Sequence, residues 1–304
     1  MFPLTKITHE DRDKVFKKLQ DLRFKKNETL SLSSAGNKVS NYYFQLLRAK
    51  TKVGKWSHYS AWNDPEQRQK IYASDKSLHR KKPHIIGTIS GLRAAMRMRY
   101  GSINQFKPLV AVYIYQKFKP SRVLDTSAGW GDRLIAAMSQ NIDYIGIDSN
   151  KKLIPAYRKM VNDFKSETES EIELIFKKSE NVDYSKLKPY DMIFTSPPYF
   201  SLEKYEGMTK YKNNEEFIND YFLPTVEKAY KYLKRGGHMV FNMPKEMYVV
   251  LKKNYGVGRK IKMPINNRFN DGTKIYNADC KNIQGLHPNT QAEELPTIFQ
   301  IKKK

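Results

Sequence analysis

The sequence predicts an α/β fold: a seven-stranded, mostly parallel sheet with helices on both faces, preceded by a basic and mainly helical N-terminal region. Three observations carry this reading. From Ser121 onward, short apolar runs alternate with amphipathic stretches of helical length. The helical stretches between strands run to ten or twenty residues, the length of a crossover that returns the chain to a parallel neighbour. Glycine or proline marks several ends of these runs, as at Pro120, Gly236-Gly237 and Pro197-Pro198.

Taken in order, residues 121–125 form the first strand and 131–139 a helix after it. Residues 143–148 are the second strand, followed by a helix over 153–164, and 172–177 are the third. The fourth is the buried-looking run 190–196. A long amphipathic helix over 215–234 stops at Arg235-Gly236-Gly237 and leads into a fifth strand, 238–243. Runs 260–265 and 297–301 supply the last two, and 266–291, rich in Asn, Asp and Gly, reads as loop.

Before the sheet, residues 9–26 read as a charged helix, 31–38 as a polar break, 91–100 as a basic helix and 105–119 as a helix leading directly into the first strand. The boundary is placed at 104/105: residues 1–104 are a basic region for nucleic-acid recognition and 105–304 the sheet domain. Of 304 residues, 55 are Lys or Arg and 31 Asp or Glu, a net charge of +24. The excess is uneven, since the first 120 residues hold 25 bases against 8 acids. A field of this sign attracts polyanions, of which nucleic acid is the usual one. Lysine-rich composition alone produces the same total, so the charge needs a chemical companion. Arg93, Arg97 and Arg99 are read either as a phosphate-contacting helix face or as a solvated one. No apolar run approaches bilayer length and the opening MFPLTKITHEDRDK has no continuous apolar stretch, so an intracellular protein without a membrane partner is expected. A single cysteine, Cys280, excludes an intrachain disulfide and a multi-cysteine zinc site, and the six histidines show no metal-ligand spacing; no metal is expected.

In an open parallel sheet, ligands bind beyond the carboxyl ends of the strands, where the strand order reverses. Three polar signals fall at such ends. Asp125-Thr126-Ser127-Ala128-Gly129-Trp130-Gly131 places two glycines where the backbone must turn sharply and approach a ligand closely. Asp148 ends the next strand, at about the spacing of an acid that accepts hydrogen bonds from ribose hydroxyls. The third is Thr195-Ser196-Pro197-Pro198-Tyr199, where two prolines give up backbone donors after a strand in return for a rigid corner.

With these three in this order, the chain resembles the S-adenosylmethionine-dependent amino-methyltransferases that act on exocyclic amines of nucleobases, over roughly residues 105–304. Their first signature, DPFxGSG, stands here with its acid and both glycines at Asp125, Gly129 and Gly131; Thr126 and Trp130 depart from it. Their catalytic signature, Asp/Asn/Ser-Pro-Pro-aromatic, is present as Ser196-Pro197-Pro198-Tyr199. The resemblance implies a class I methyltransferase fold of Rossmann-like type with S-adenosylmethionine as cofactor. It implies that Asp125, Gly129 and Gly131 line the methionine side, with Ser127 among the contacts. Asp148 would hold the ribose, and Asp183, or Glu180 in its place, would approach the adenine.

The implied chemistry is coherent. A nucleobase amine is a poor nucleophile because its lone pair is delocalised into the ring. Ser196 Oγ and the Pro197 carbonyl, positioned in advance by proline, would accept its two N–H bonds and draw it toward tetrahedral geometry, while Tyr199 stacks on a base taken out of its helix. Methylation at cytosine carbon 5 needs a thiolate, usually following a proline, whereas Cys280 follows Asp279. Serine at the first motif position favours N4 of cytosine over N6 of adenine within that family. The interval from Gly131 to Ser196 is used up by strands, leaving target recognition to the N-terminal region. DNA is expected as partner ahead of RNA; a protein glutamine acceptor fits the charge poorly, and a catalytically silent nucleic-acid-binding relative would not need the intact motif.

Overall fold

The computed structural model describes residues 1–24, 35–101, 103–199, 207–256, 258–266, 275–277 and 297–303. Expectations for Cys280 and most of 266–291 lie outside the described residues. The chain opens with α1 (His9–Asp21), whose first turn is capped by the Thr8 side chain, and α2 (Asn37–Lys50). A short antiparallel pair, β1 (Lys52–Val53) and β2 (Trp56–Ser57), leads through a Ser57/Ser60 capping box into α3 (His58–Asn63). Next come α4 (Pro65–Leu78), with Asp64 as cap and Pro65 in the first turn, then α5 (Ile89–Tyr100) and α6 (Pro108–Phe118).

The sheet region follows as β3 (Arg122–Asp125), α7 (Asp132–Ser139), β4 (Asp143–Ile147), α8 (Ile154–Asp163), β5 (Ile172–Ile175) and β6 (Tyr190–Thr195). A segment of α9 (Asn214–Phe217), a π turn (Ile218–Phe222) and α10 (Leu223–Tyr232) lead to β7 (Leu233–Met243) and α11 (Lys245–Tyr255). The remaining strands are β8 (Arg259–Lys260), β9 (Lys262–Asn266), β10 (Ile275–Asn277) and β11 (Thr297–Lys302). Seven strands form the main sheet in the order β5-β4-β3-β6-β7-β11-β8. The first five are parallel; β11 runs antiparallel to both its neighbours, so β8 again shares the direction of β7.

Alternation along the strands puts one apolar set on each face. Val123, Tyr144, Met192, Phe194 and Val240 pack with α1, α2, α6, α7 and α8. Leu124, Ile145, Ile193, Met239 and Phe241 pack with α9, α10 and α11. The first 100 residues divide between two cores: Phe16, Leu19, Val39 and Phe44 belong to the first face of the sheet, whereas Trp62, Ile71, Leu92 and Met96 form a cluster of their own.

Three expectations are revised. The helix over 215–234 is interrupted, because Pro224 has no N–H to donate back along the helix and the turn before it widens to π geometry. Residues 233–237 are strand, not a helix stop: β7 pairs at Leu233 and again at His238 against Tyr190 and Met192, and Gly236, at φ 75°, carries the bulge between. Run 260–265 is split between β8 in the main sheet and β9, which pairs with β10 away from it.

Candidate active site

The chain leaves β3 to build β4 and β5 on one side, then crosses back to place β6 on the other, so the loops after β3 and β6 flank the reversal of strand order. Thr126 Oγ1 donates to Thr195 Oγ1 at 3.3 Å and ties the two loops together. Between them lies one continuous cavity of about 1080 Å³, its open mouth included. Ser127, Gly129, Trp130 and Asp148 line one part of it, and Ser196, Pro198 and Tyr199 another.

The loop after β3 is held from below. Asp125 is fully buried; it accepts from Arg133 Nε at 2.7 Å, from Tyr144 Oη at 2.5 Å and from the Ser127 amide at 3.1 Å. Arg133 also donates to the Ser127 carbonyl and lies over the Phe106 ring. This pair is satisfied on every side, and removing one partner would strand a charge in the core, a change of about 3–5 kcal/mol. Asp125 therefore shapes the loop and does not line the cavity.

Gly129 and Gly131 both have positive φ, 63° and 73°. A Cβ on Gly131 would lie 2.7 Å from Met160 Cε and 2.9 Å from Phe44 Cε2, so its requirement is packing, and it too stands behind the cavity wall. Tyr157 Oη accepts from the Gly131 amide at 3.1 Å and donates to the Gly129 carbonyl at 2.9 Å, fixing the turn. Phe44 of α2 packs its ring 5.0 Å from that of Tyr157 and 6.4 Å from that of Trp130, so the N-terminal region buttresses this loop directly.

Asp148 sits where β4 ends. Its Oδ2 accepts from the Gly129 amide at 2.8 Å and its Oδ1 from the Asn150 amide at 2.8 Å. Lack of solvent raises its pKa to about 6, against the two backbone bonds that lower it. Asp132, which the sequence reading leaves without a role, also lines the cavity. Its Oδ1 accepts from Ser40 Oγ at 2.5 Å and Gln105 Nε2 at 2.8 Å, whereas Oδ2 is buried without a partner. Burial likewise raises its pKa to about 6.

Asp183 is not at the cavity. It is exposed, bonded to Ser185 and paired with Lys186, while Ser179 and Glu180 of the preceding turn line the wall. Asp183 serves as the cap of its own short turn, because its side chain reaches the Ser185 amide. Ser127 does line the cavity, with its Oγ 3.0 Å from Tyr221 Oη of the π turn.

At the other part, Pro197 is buried, and Ser196 and Pro198 are half-buried. Tyr199 is 7% exposed, and its hydroxyl lies 3.0 Å from Ser196 Oγ. Asn242 of β7, 1% exposed, donates Nδ2 to Tyr199 Oη at 2.8 Å and to Ser196 Oγ at 3.1 Å. The signal for Asn242 is present in the sequence as one amide inside the apolar run Met239-Val240-Phe241-Asn242-Met243. Among the described residues, no group of three His, Cys, Asp or Glu side chains is placed to hold a metal, and no helix is long and apolar enough to cross a membrane.

Residues 190–296, from β6 onward and including the Ser196–Tyr199 corner, match the DNA methylase family N6_N4_Mtase. The chain resembles an amino-methyltransferase. That match covers about a third of the chain. No curated protein matches it. Among solved structures it is similar to TrmN from Thermus thermophilus, at 16% identity and a TM-score of 0.43 over 65% of this chain and 49% of that one, about half of TrmN's length. An rRNA methylase from Streptococcus thermophilus is similar at 14% identity and a TM-score of 0.39, over 66% of this chain and 99% of that one. NSun6 from Pyrococcus horikoshii, solved with SFG, is similar at 15% identity and a TM-score of 0.43, over 66% and 52%.

Proposed function

We propose that the protein transfers a methyl group from S-adenosylmethionine to the exocyclic amine of a base in nucleic acid, with DNA as the polymer and N4 of cytosine preferred to N6 of adenine. The observation that carries this reading is the single cavity that joins Gly129 and Asp148 to Ser196 and Tyr199. Two catalytic parts that belong to one reaction open onto one space.

The donor set suits the cofactor. Asp148 presents a carboxylate to ribose hydroxyls, the Gly129 turn leaves its backbone uncovered, and the unpartnered Asp132 Oδ2 is an acceptor for an ammonium group. Of the two acids weighed for the adenine side, Glu180 lines the cavity, beside Ser179, and this supports assigning the adenine to that wall. When bound, S-adenosylmethionine supplies a methyl group made electrophilic by its sulfonium.

Ser196 must accept a hydrogen bond from the amine, and its surroundings dictate how. Its Oγ has two lone pairs and one hydrogen, and Asn242 Nδ2 occupies one lone pair. The second is left for the amine only if the Ser196 hydrogen is donated to Tyr199 Oη. Tyr199 Oη accepts that hydrogen and one from Asn242, and passes its own to the Asn242 carbonyl, 3.4 Å away. Asn242 thus orients both hydroxyls so that an acceptor faces the substrate before it arrives. Pro197 is buried and does not itself line the cavity, so its carbonyl would serve as the second acceptor only if it reaches the space between Ser196 and Pro198.

The test is methyl transfer from the labelled cofactor to unmodified DNA and RNA, followed by mass analysis of the nucleosides. N4-methylcytosine in DNA supports the proposal in full. Label on carbon, on ribose or in no nucleoside contradicts it.

A further inference from the structure

Three arginines take no part in the reaction just described: Arg48, which packs against a residue of the cavity wall, and Arg93 and Arg97 of α5. Arg48 of α2 is 8% exposed; its Nη2 donates to Asn41 Oδ1, and its Nη1 is buried without a partner. Its guanidinium carbon lies 6.0 Å from the centre of the Trp130 ring, which lines the cavity. Arg93 and Arg97 sit one turn apart on the same face of α5, and Arg93 Nη1 is held by Thr5 Oγ1 at 2.8 Å. Arg97 is exposed.

These groups share one field. Displacement of water by the surrounding protein lowers the pKa of each arginine, that of Arg48 to about 10; Arg97 pushes Arg93 further down and Arg93 does the same to Arg48, which Asp132 opposes. His58, with Nε2 2.8 Å from the Gly101 carbonyl, is depressed by burial and then by all three arginines. Among the described residues, no carboxylate bridges Arg48, Arg93 or Arg97, and Asp132 is the one carboxylate that acts on Arg48. Like charges gathered beside one another, with Arg48 taken out of water, cost stability, and a bound anion removes part of that cost. Planar guanidiniums on one face match the paired oxygens of a phosphate.

We infer that this corner is a phosphate site, in which Arg93 and Arg97 bind a backbone phosphodiester of the nucleic-acid strand whose base enters the cavity past Trp130, with Arg48 supporting the charge from beneath. The inference rests on the nucleic-acid reading above. It would give the basic excess of the first 120 residues a specific place of action, and of the two readings of the Arg93 helix face it adopts the phosphate one for Arg93 and Arg97, Arg99 being bonded to Ser74 Oγ at 3.0 Å.

The experiment measures binding of the full chain to a twelve-nucleotide strand of thymidines with one central cytosine, as DNA and as the uridine RNA counterpart, over a range of salt. Arg97→Gln alters an exposed side chain, and Arg93→Gln/Arg97→Gln removes both guanidiniums. The double variant is expected to bind about tenfold more weakly at low salt, with a salt slope shallower by about 0.7 for each phosphate that is no longer neutralised. Arg97→Lys should restore part of the slope, and S-adenosylmethionine affinity should stay unchanged, which also shows that the variants are folded. On a strand with methylphosphonates in place of phosphates, wild type and double variant should bind alike. The tighter of the DNA and RNA arms identifies the polymer. An unchanged slope in the double variant overturns the inference, as does an equal loss on the methylphosphonate strand or a loss confined to S-adenosylmethionine. Loss of strand binding in the variants, with no methyl transfer by wild type, would leave the phosphate site standing and remove the methyl-transfer reading instead.

Discussion

Asn242 Nδ2 stands 2.8 Å from Tyr199 Oη, so an amide of β7 fixes the hydroxyl of the motif that leaves β6. If this bond orients the Ser196 acceptor, Tyr199→Phe takes away the group that receives the Ser196 hydrogen, and Asn242→Ala removes the donor that fixes both hydroxyls, leaving them free to reverse. Both are expected to lower kcat by about 10- to 100-fold, within the range seen when one preorganised group is removed. Calorimetric titration with S-adenosylmethionine should give wild-type affinity for both. A normal kcat in Asn242→Ala would remove the amide from the account.

In the role proposed for it Asp148 would accept ribose hydroxyls as a carboxylate, and its pKa is raised to about 6. Cofactor affinity should therefore be flat above pH 7 and fall by up to about tenfold per unit below pH 6, where the acceptor is protonated. Asp148→Asn should bind weakly at pH 8 and show a shallower dependence below 6. A dissociation constant that stays level from pH 8 to 5 in wild type would exclude this role.

Asp132 makes the opposite trade. Its raised pKa means the folded chain holds a proton between about pH 4 and 6 that the unfolded chain has released, so it favours the fold at low pH and that contribution is lost as pH rises through about 6. Asp132→Asn keeps an oxygen for Ser40 and Gln105 and removes the buried anion. Relief of the buried anion is offset by loss of the one carboxylate that acts on Arg48, so stability at pH 7 should stay within about 1 kcal/mol of wild type while cofactor binding weakens. Thermal unfolding with and without S-adenosylmethionine reads both effects, and a wild-type rise in Tm with the ligand would contradict the assignment.

Phe44 couples the N-terminal region to the loop after β3, the proposed cofactor loop. Phe44→Ala leaves a cavity against Gly131, Trp130 and Tyr157 and is expected to cost about 3–5 kcal/mol of stability. Saturating S-adenosylmethionine should recover part of the fall in Tm, because the ligand binds only the ordered loop. No change in Tm would mean that α2 is not a support.

Much of this is legible in the sequence, and the failures have physical causes. The strands from Ser121 to Met243 announce themselves as short apolar runs, and Ser196–Tyr199 and Asp148 fall where the sheet opens. The sequence points to Asp125 and Gly131 as cofactor contacts, but their partners, Arg133, Tyr144 and Phe44, are distant or ambiguous along the chain, and only the fold shows that both residues stand behind the wall. The choice between Glu180 and Asp183 depends on one short turn whose direction no local pattern fixes. Asn242 stays hidden because an amide in a buried strand has no meaning until its neighbours across the sheet are known.

The central claim is that Ser196 acts on the transferred group's acceptor and not on the fold or the cofactor. The most direct test compares single-turnover methyl transfer by Ser196→Ala with its S-adenosylmethionine dissociation constant. The expected result is a rate lowered by about 10²-fold or more at an unchanged dissociation constant. Transfer at the wild-type rate, or a loss traced wholly to weaker cofactor binding, would contradict it.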